Sequence, residues 1–195
     1  VPPPINLYQI GESGRLGGIS KDWVSWDEIA PVMGRSAVAA EDANFCLHWG
    51  FDVAAIRKAV DEGGARGAST ISQQVVKNVF LWQGRSYVRK AMEAVMTPIV
   101  ELVWSKQRIL EVYLNVAEFG DGVFGVQAAA QKNFGVDAKD LTALQAARLA
   151  AVLPNPKEYS ADNPGSFVRK RTRSIMSGAE TIAADGRANC FQTRD

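Results

Sequence analysis

Between Ser69 and Leu81 the chain places Thr70, Gln73, Gln74, Lys77 and Asn78 in one arc of about 140° on a helix of 3.6 residues per turn, opposite Ile71, Val75, Val76 and Val79. A solvated helix face ordinarily carries Glu and Lys pairs. This face carries a hydroxyl and amides ending in one cation, a surface suited to a sugar or a diphosphate. The next predicted helix supplies Arg89, Lys90 and Glu93 at spacings of four and three. Alone that is a common intrahelical ion pair, worth a few tenths of a kcal/mol. Set against the polar row, Lys77, Arg89 and Lys90 converge on one anion, with Glu93 orienting the cations or holding a Mg²⁺. Upstream, Glu41, Phe45 and His48 follow at helical spacings with Asp42 beside them. A helical carboxylate is ordinarily surface and a lone histidine ordinarily structural, so these residues gain weight only in combination with the two segments that follow.

Helices must position these groups. Residues 1–24, with three prolines and four glycines, read as an extended lead-in. Ser25 and Glu28 form a capping-box pattern with Trp26, Ile29 and Val32 or Met33 behind it, and residues 36–49 run without a breaker until Gly50. Asp52 caps a helix through Val60, and the glycine-rich residues 61–67 predict a mobile loop. Helices are expected over 69–80, 86–104 with Pro98 inside, 105–115, 124–133, 142–152 and 164–184, with weak strand signals. The fold class is therefore mainly α with little or no β, and residues 25–195 are expected to form one domain.

Composition narrows the chemistry. The chain has 195 residues, 47% of them hydrophobic, enough for one substantial core. Lys and Arg total 22 against 21 acidic residues, so bulk charge gives no reason to expect a nucleic-acid partner. One histidine and two distant cysteines, Cys46 and Cys190, do not make a His/Cys zinc site, while a hard oxygen-bound ion such as Mg²⁺ stays open. Cys46 lies in an apolar stretch and is expected as a buried free thiol. The start Val1-Pro2-Pro3-Pro4, without methionine, leads to the expectation of an upstream segment, a membrane anchor, that is missing here. Residues 79–82, Val-Phe-Leu-Trp, either plug the core or dip into a bilayer, with Trp82 at the headgroups and Arg85 and Arg89 near lipid phosphates. The run Arg169-Lys170-Arg171 with Arg173 reads as a solvated helix face that could also touch anionic lipid.

The same segments carry a resemblance. Glu41-Asp42-Ala43-Asn44-Phe45 with His48, Gly50, Phe51 and Asp52 resembles the first signature of the peptidoglycan glycosyltransferases of lysozyme-like fold. Residues 67–74, Gly-Ala-Ser-Thr-Ile-Ser-Gln-Gln, with Lys77-Asn78 resemble the second signature, and Arg89-Lys90 with Glu93 the third. Lys106, Ile109-Leu110-Glu111 and Tyr113-Leu114-Asn115, then Gly120, Gly122, Gly125 and Ala128-Ala129, look like the remaining two. Five ordered motifs across residues 36–156 are far more specific than any one. Asn133-Phe134 and Val136 depart from the usual pattern at a late-helix contact outside the catalytic set. With no Ser-x-x-Lys and little chain after Pro156, the sequence resembles the monofunctional members most.

The resemblance implies a bilobal helical domain, with a smaller membrane-proximal lobe around residues 62–87. It also implies polymerisation of lipid II into glycan strands with inversion, releasing a polyprenyl diphosphate, for bacterial cell-wall synthesis. Glu41 and Glu93 are the implied catalytic residues, with Glu41 as base, and His48, Ser69, Thr70, Gln73, Lys77, Asn78, Arg89 and Lys90 the implied substrate-binding residues. Glu111, Tyr113 and Asn115 are expected to support the cleft. No tightly bound cofactor and no metal ligands of the protein's own are expected, with Mg²⁺ or another divalent cation accompanying the substrate diphosphate. The implied partners are lipid II, the growing lipid-linked strand, the membrane, and cell-wall synthesis and division proteins; the implied location is the periplasmic face of the cytoplasmic membrane. Two other readings stand beside this one: an idle lipid-diphosphate or glycan-binding scaffold, and a lytic muramidase. The cation cluster argues against the muramidase, because expelling a sugar hydroxyl calls for a protonated carboxyl and a second carboxylate rather than for positive charge.

Overall fold

In the computed structural model, which describes residues 6–61, 69–84 and 86–192, the regular elements are mostly helices begun by short polar side chains. They are α1 (Leu7–Leu16), β1 (Ser20–Lys21), α2 (Pro31–Glu41), α3 (Val53–Asp61), α4 (Ile71–Phe80), α5 (Tyr87–Val103), α6 (Lys106–Val116), β2 (Glu118–Gly120), β3 (Val123–Phe124), α7 (Val126–Phe134), α8 (Ala143–Val152) and α9 (Ser166–Ala184). Single 3₁₀ turns occupy Trp26–Glu28, Phe45–Leu47 and Ala138–Asp140. Thr70 with Gln73 and Thr142 with Gln145 are capping boxes, and Ser86 and Ser105 cap α5 and α6 by accepting backbone N–H bonds.

α6 is the central element. Ile109, Leu110, Val112 and Leu114 are fully buried in it, and α4 packs on it with α5 on α4's other side. α2, α8 and α9 form a second packed group. Buried Asn115 joins α6 to the chain after β1, its Oδ1 accepting from Val24 N at 2.9 Å and its Nδ2 donating to Val24 O at 2.9 Å. The strands form one small sheet in the order β1-β3-β2, with β1 parallel and β2 antiparallel to β3. The mainly α, lysozyme-like class expected from the sequence is thus the class found. Of the expected membrane-proximal lobe, residues 62–68 and Arg85 lie outside the described residues, as does the opening Val1-Pro2-Pro3-Pro4.

Three local expectations are corrected. The lead-in contains α1, because Asn6 and Gln9 form a reciprocal capping box and Gly17 ends the helix in the left-handed region, while Gln9 and Glu12 are buried. Residues 36–49 are not one unbroken helix. The Ser25/Glu28 box caps only one turn, α2 begins afresh with Pro31 in its first turn, and Asp42 leaves the helix at φ −161°. Glu41, Phe45 and His48 therefore do not share a helix face. Finally, Cys46 is not a free thiol, being disulfide-bonded to Cys190 with the two Cα atoms 5.6 Å apart.

Gly50 links this frame to the site. Its φ is +84°, an added Cβ would meet Thr97 Cγ2 at 2.6 Å, and its carbonyl accepts the Thr70 hydroxyl at 2.7 Å. Gly50→Ala is expected to lower the unfolding free energy by about 1–3 kcal/mol, from backbone strain and the contact with α5. Denaturant unfolding checks this, and an unchanged midpoint would contradict it.

Candidate active site

Glu41 is the last residue of α2, and two other helices hold its carboxylate. Gln74 Nε2 of α4 donates to Oε2 at 3.1 Å, and Arg171 Nη2 of α9 donates to Oε1 at 3.1 Å and to Ala40 O at 3.0 Å. Burial raises the Glu41 pKa above the usual carboxylate value, with the Gln74 bond and the Arg171 charge opposing the shift. Burial thus makes the carboxylate a stronger base than a solvated one, and Gln74 and Arg171 work against that effect.

Asp42 fixes where α2 stops. Its Oδ2 accepts from Ile71 N at 2.9 Å, at the start of α4, and its Oδ1 pairs with His48 Nε2 at 2.8 Å. Asn44 Nδ2 donates to Asp52 Oδ2 at 2.9 Å, while Asp52 Oδ1 caps α3 by accepting from Ala55 N. These bonds form one wall of a hollow lined by Glu41, Asp42, Asn44, Asp52, Ser69 and Thr70.

On the far side of Gln74 lies a cavity of ≈ 160 Å³ lined by Lys77, Asn78, Tyr113, Tyr8 and Glu118 among others. Lys77 has no hydrogen bond or ion pair among the described residues. Its pKa is lowered by burial and then by the nearby charge of Arg89 and Lys90, against the pull of Glu93 and Glu41. Glu93 is buried and takes Arg89 Nη1 at 2.9 Å on one oxygen and Lys90 Nζ on the other. Arg89 Nε also donates to Gly84 O at 2.8 Å, and Lys90 Nζ reaches Ser69 Oγ at 3.4 Å. A partly buried ammonium without a partner among the described residues, beside two cations that a buried carboxylate holds in place, has the chemistry to receive an anion.

The sequence-derived candidates therefore divide. Glu41, Arg89, Lys90 and Glu93 all fall within electrostatic reach of Lys77, with Ser69 at the edge and Asn78 on the cavity wall. Thr70 and Gln73 are buried in the helix cap, so their polar atoms serve α4 first. His48 is turned onto Asp42. Two contacts to Glu41 were not singled out as site residues from sequence. Gln74 belonged to the polar row, and Arg171 was read as part of a solvated face. α9 periodicity carried a signal for the latter, since Arg171 falls on the stripe of buried Val168, Thr172, Ile175 and Ile182.

A divalent ion finds few open donors. Both oxygens of Glu41, Asp42, Asp52 and Glu93 accept from protein groups. The separate carboxylate group of Glu12, Glu118 and Asp121 is compensated by Arg15 and Lys157.

Comparison with known proteins places this geometry in context. A family model described as Transglycosylase matches residues 10–180. A "Biosynthetic peptidoglycan transglycosylase" of Jannaschia sp. (strain CCS1) is 64% identical over 191 residues, covering 98% of this chain and 80% of the relative. Proteins of the same name from Xanthomonas campestris pv. campestris (strain B100) and Caulobacter vibrioides (strain ATCC 19089 / CIP 103742 / CB 15) are 52% and 47% identical. They cover 95% and 97% of this chain and 80% and 85% of the respective relatives.

Arg171 gives a test with a definite sign. Removing its charge deletes an influence that lowers the Glu41 pKa, so the protonated fraction of Glu41 grows at a given acidic pH. Arg171→Met is expected to move the acidic limb of the transglycosylase rate profile to higher pH. A limb that stays in place, or moves down, contradicts the assignment.

Proposed function

The chain belongs to the transglycosylase family and builds peptidoglycan glycan strands, and from that premise we propose that Glu41 is the general base for transfer between lipid-linked sugars. The substrate would be a lipid-linked disaccharide of the lipid II type, used as acceptor and as the reducing end of a growing strand. The acceptor 4-hydroxyl attacks the anomeric carbon of the donor and gives its proton to Glu41 while the anomeric C–O bond to the polyprenyl diphosphate breaks. In-line displacement inverts the anomeric centre. The diphosphate is a weak base, so it needs positive charge more than a proton, and Lys77, Arg89 and Lys90 meet that need.

One observation carries this reading. Gln74 binds Glu41, and one helical turn later on α4 Lys77 stands desolvated and unpaired. The raised Glu41 pKa alone would suit a muramidase acid equally well. The vacant cation favours transfer from a diphosphate. A divalent ion would arrive on that diphosphate, since the carboxylates around it are already engaged, and no step here depends on it.

The surface supports a membrane-facing reading. α5 carries its cations on one side and an outward apolar stripe on the other, with Val88, Val95, Ile99 and Leu102 65%, 67%, 54% and 71% exposed. The Val79–Trp82 run divides: Leu81 is core, while Phe80 and Trp82 are exposed. Exposed apolar side chains on both segments suit an enzyme whose polyprenyl substrate lies in a bilayer. Among the described residues no helix is long and apolar enough to cross a membrane. The Cys46–Cys190 disulfide is in keeping with an oxidising compartment such as the periplasm.

Glu41→Gln is expected to keep lipid binding and lose about 10²–10⁴-fold in polymerisation of purified lipid II; turnover near wild type removes Glu41 from this role. Lys77→Ala is expected to weaken binding of a diphosphate-lipid mimic by about 1.5–3 kcal/mol, read by calorimetry, and unchanged affinity counts against the anion site. In vesicle flotation, Val95→Asp with Ile99→Asp is expected to release the protein from bilayers. Undiminished flotation argues against α5 as the membrane face.

A further inference from the structure

The disulfide lies where the site is most easily disturbed. Cys46 is in the 3₁₀ turn Phe45–Leu47, directly downstream of Glu41 and Asp42, and Cys190 is in the segment that follows α9, the helix bearing Arg171. The bond therefore ties the chain just after Glu41 to the segment just after α9, closing a covalent loop that contains Arg171 while Glu41 lies just outside it. Around it, Phe191 packs against Phe45 with ring centroids 6.2 Å apart and against Trp26 at 6.3 Å, and Arg187 Nη1 donates to Ala43 O at 3.1 Å. Gln192 Nε2 donates to Pro31 O, while its Oε1 accepts from Arg35 at 2.8 Å. The terminal segment thus holds the turn after Asp42 at Ala43, Phe45 and Cys46, and the start of α2 at Pro31 and Arg35. Phe45 and Phe191 are buried, so the hydrophobic part of this brace persists without the covalent bond. Both cysteines are partly buried at the edge of the core rather than enclosed in it.

We propose that the Cys46–Cys190 disulfide is a redox-sensitive latch, open to thiol–disulfide exchange with a dithiol reductant or oxidoreductase, that holds the Asp42–His48 turn in its productive position. This rests on the reading of Glu41 as base. In reduction, a thiolate of the dithiol attacks one sulfur and the S–S bond breaks. A mixed disulfide forms, and the second thiol of the reductant then closes its own disulfide. Two electrons and two protons end on Cys46 and Cys190 as thiols. Once reduced, the turn is retained by packing and hydrogen bonds alone. Glu41 then moves more freely against Gln74 and Arg171 and admits more water. Hydration favours its charged form, so the reduced enzyme has a lower acidic limb as well as a lower rate. The charged or titratable groups facing Glu41 are Asp42 beside it, Lys77 of α4, Tyr113 of α6 and Arg171 of α9.

The test compares lipid II polymerisation by oxidised wild type, dithiothreitol-treated wild type and Cys46→Ala/Cys190→Ala, with Glu41→Gln alongside. Reduction is expected to cut wild-type turnover about tenfold and move its acidic limb to lower pH, with the far-UV spectrum unchanged. The double variant should sit at the reduced level and ignore dithiothreitol. Wild type that keeps its rate on reduction, or has two titratable thiols after oxidative folding, overturns the latch. So does a loss of helical signal on reduction, which assigns the bond to folding alone. If the double variant does not fold, the reduced wild type decides. An active Glu41→Gln enzyme overturns the base assignment instead, and the two failures are thereby distinguished.

Discussion

The site depends on where α2 stops, and the Asp42 carboxylate decides that. One oxygen binds the first amide of α4 and the other binds His48, so the end of one helix is tied to the start of another. The amide is an otherwise unpaired donor at a helix N-terminus, where a carboxylate is favoured both by the hydrogen bond and by the helix dipole. The clamp also turns the chain out of helical geometry immediately after Glu41. Were α2 to continue through Phe45, Asp42 would be carried away from α4. The distance between base and anion site is thus set by one buried side chain that itself need not touch substrate.

Burial raises the cost of charge on Glu41 and on Lys77 alike, but the two are treated differently. Glu41 receives Arg171 and Gln74, enough to stay ionisable while remaining a better base than a solvated carboxylate. Lys77 receives no partner among the described residues, and its neighbours Arg89 and Lys90 are already held by Glu93. Desolvating an unpaired cation is unfavourable in the free protein, and an incoming diphosphate reverses that cost. Glu93 then acts by keeping two positive groups from relaxing into solvent. Each of its oxygens already accepts from one of those cations.

The parts legible in sequence were those governed by local rules. The polar row on α4, the Arg89-Lys90-Glu93 spacing and the caps at Asp52 and Thr142 all follow from helical periodicity and first-turn hydrogen bonding, and the structure has them. The losses came from contacts between distant segments. Nothing within residues 36–49 announces that Asp42 will bind Ile71, so an unbroken helix was the natural local reading. Arg171 sits in a basic run whose neighbours do face solvent, and only its partner Glu41, 130 residues upstream, gives it a purpose. The disulfide spans 144 residues and no local pattern fixes it. α1 is a different case: Asn6 and Gln9 did carry a capping signal, masked by the nearby prolines and glycines.

One helix joins the chemistry to the proposed location. α5 begins with Arg89, Lys90 and Glu93 turned toward Lys77, and its outward side runs from Val88 to Leu102 without a charged residue on the stripe. At 1.5 Å per residue that stripe is about 20 Å long, less than the thickness of a bilayer core, so it suits lying along a surface rather than spanning it. A diphosphate attached to a lipid has the same division: an anion at one end and hydrocarbon at the other. On a helix, residues three or four apart share a face while those two apart do not, so a single α5 can present cations inward and aliphatic side chains outward. The orientation of the substrate would then be fixed before any sugar is recognised, because only one approach puts the phosphates on Lys77 and leaves the lipid in the membrane.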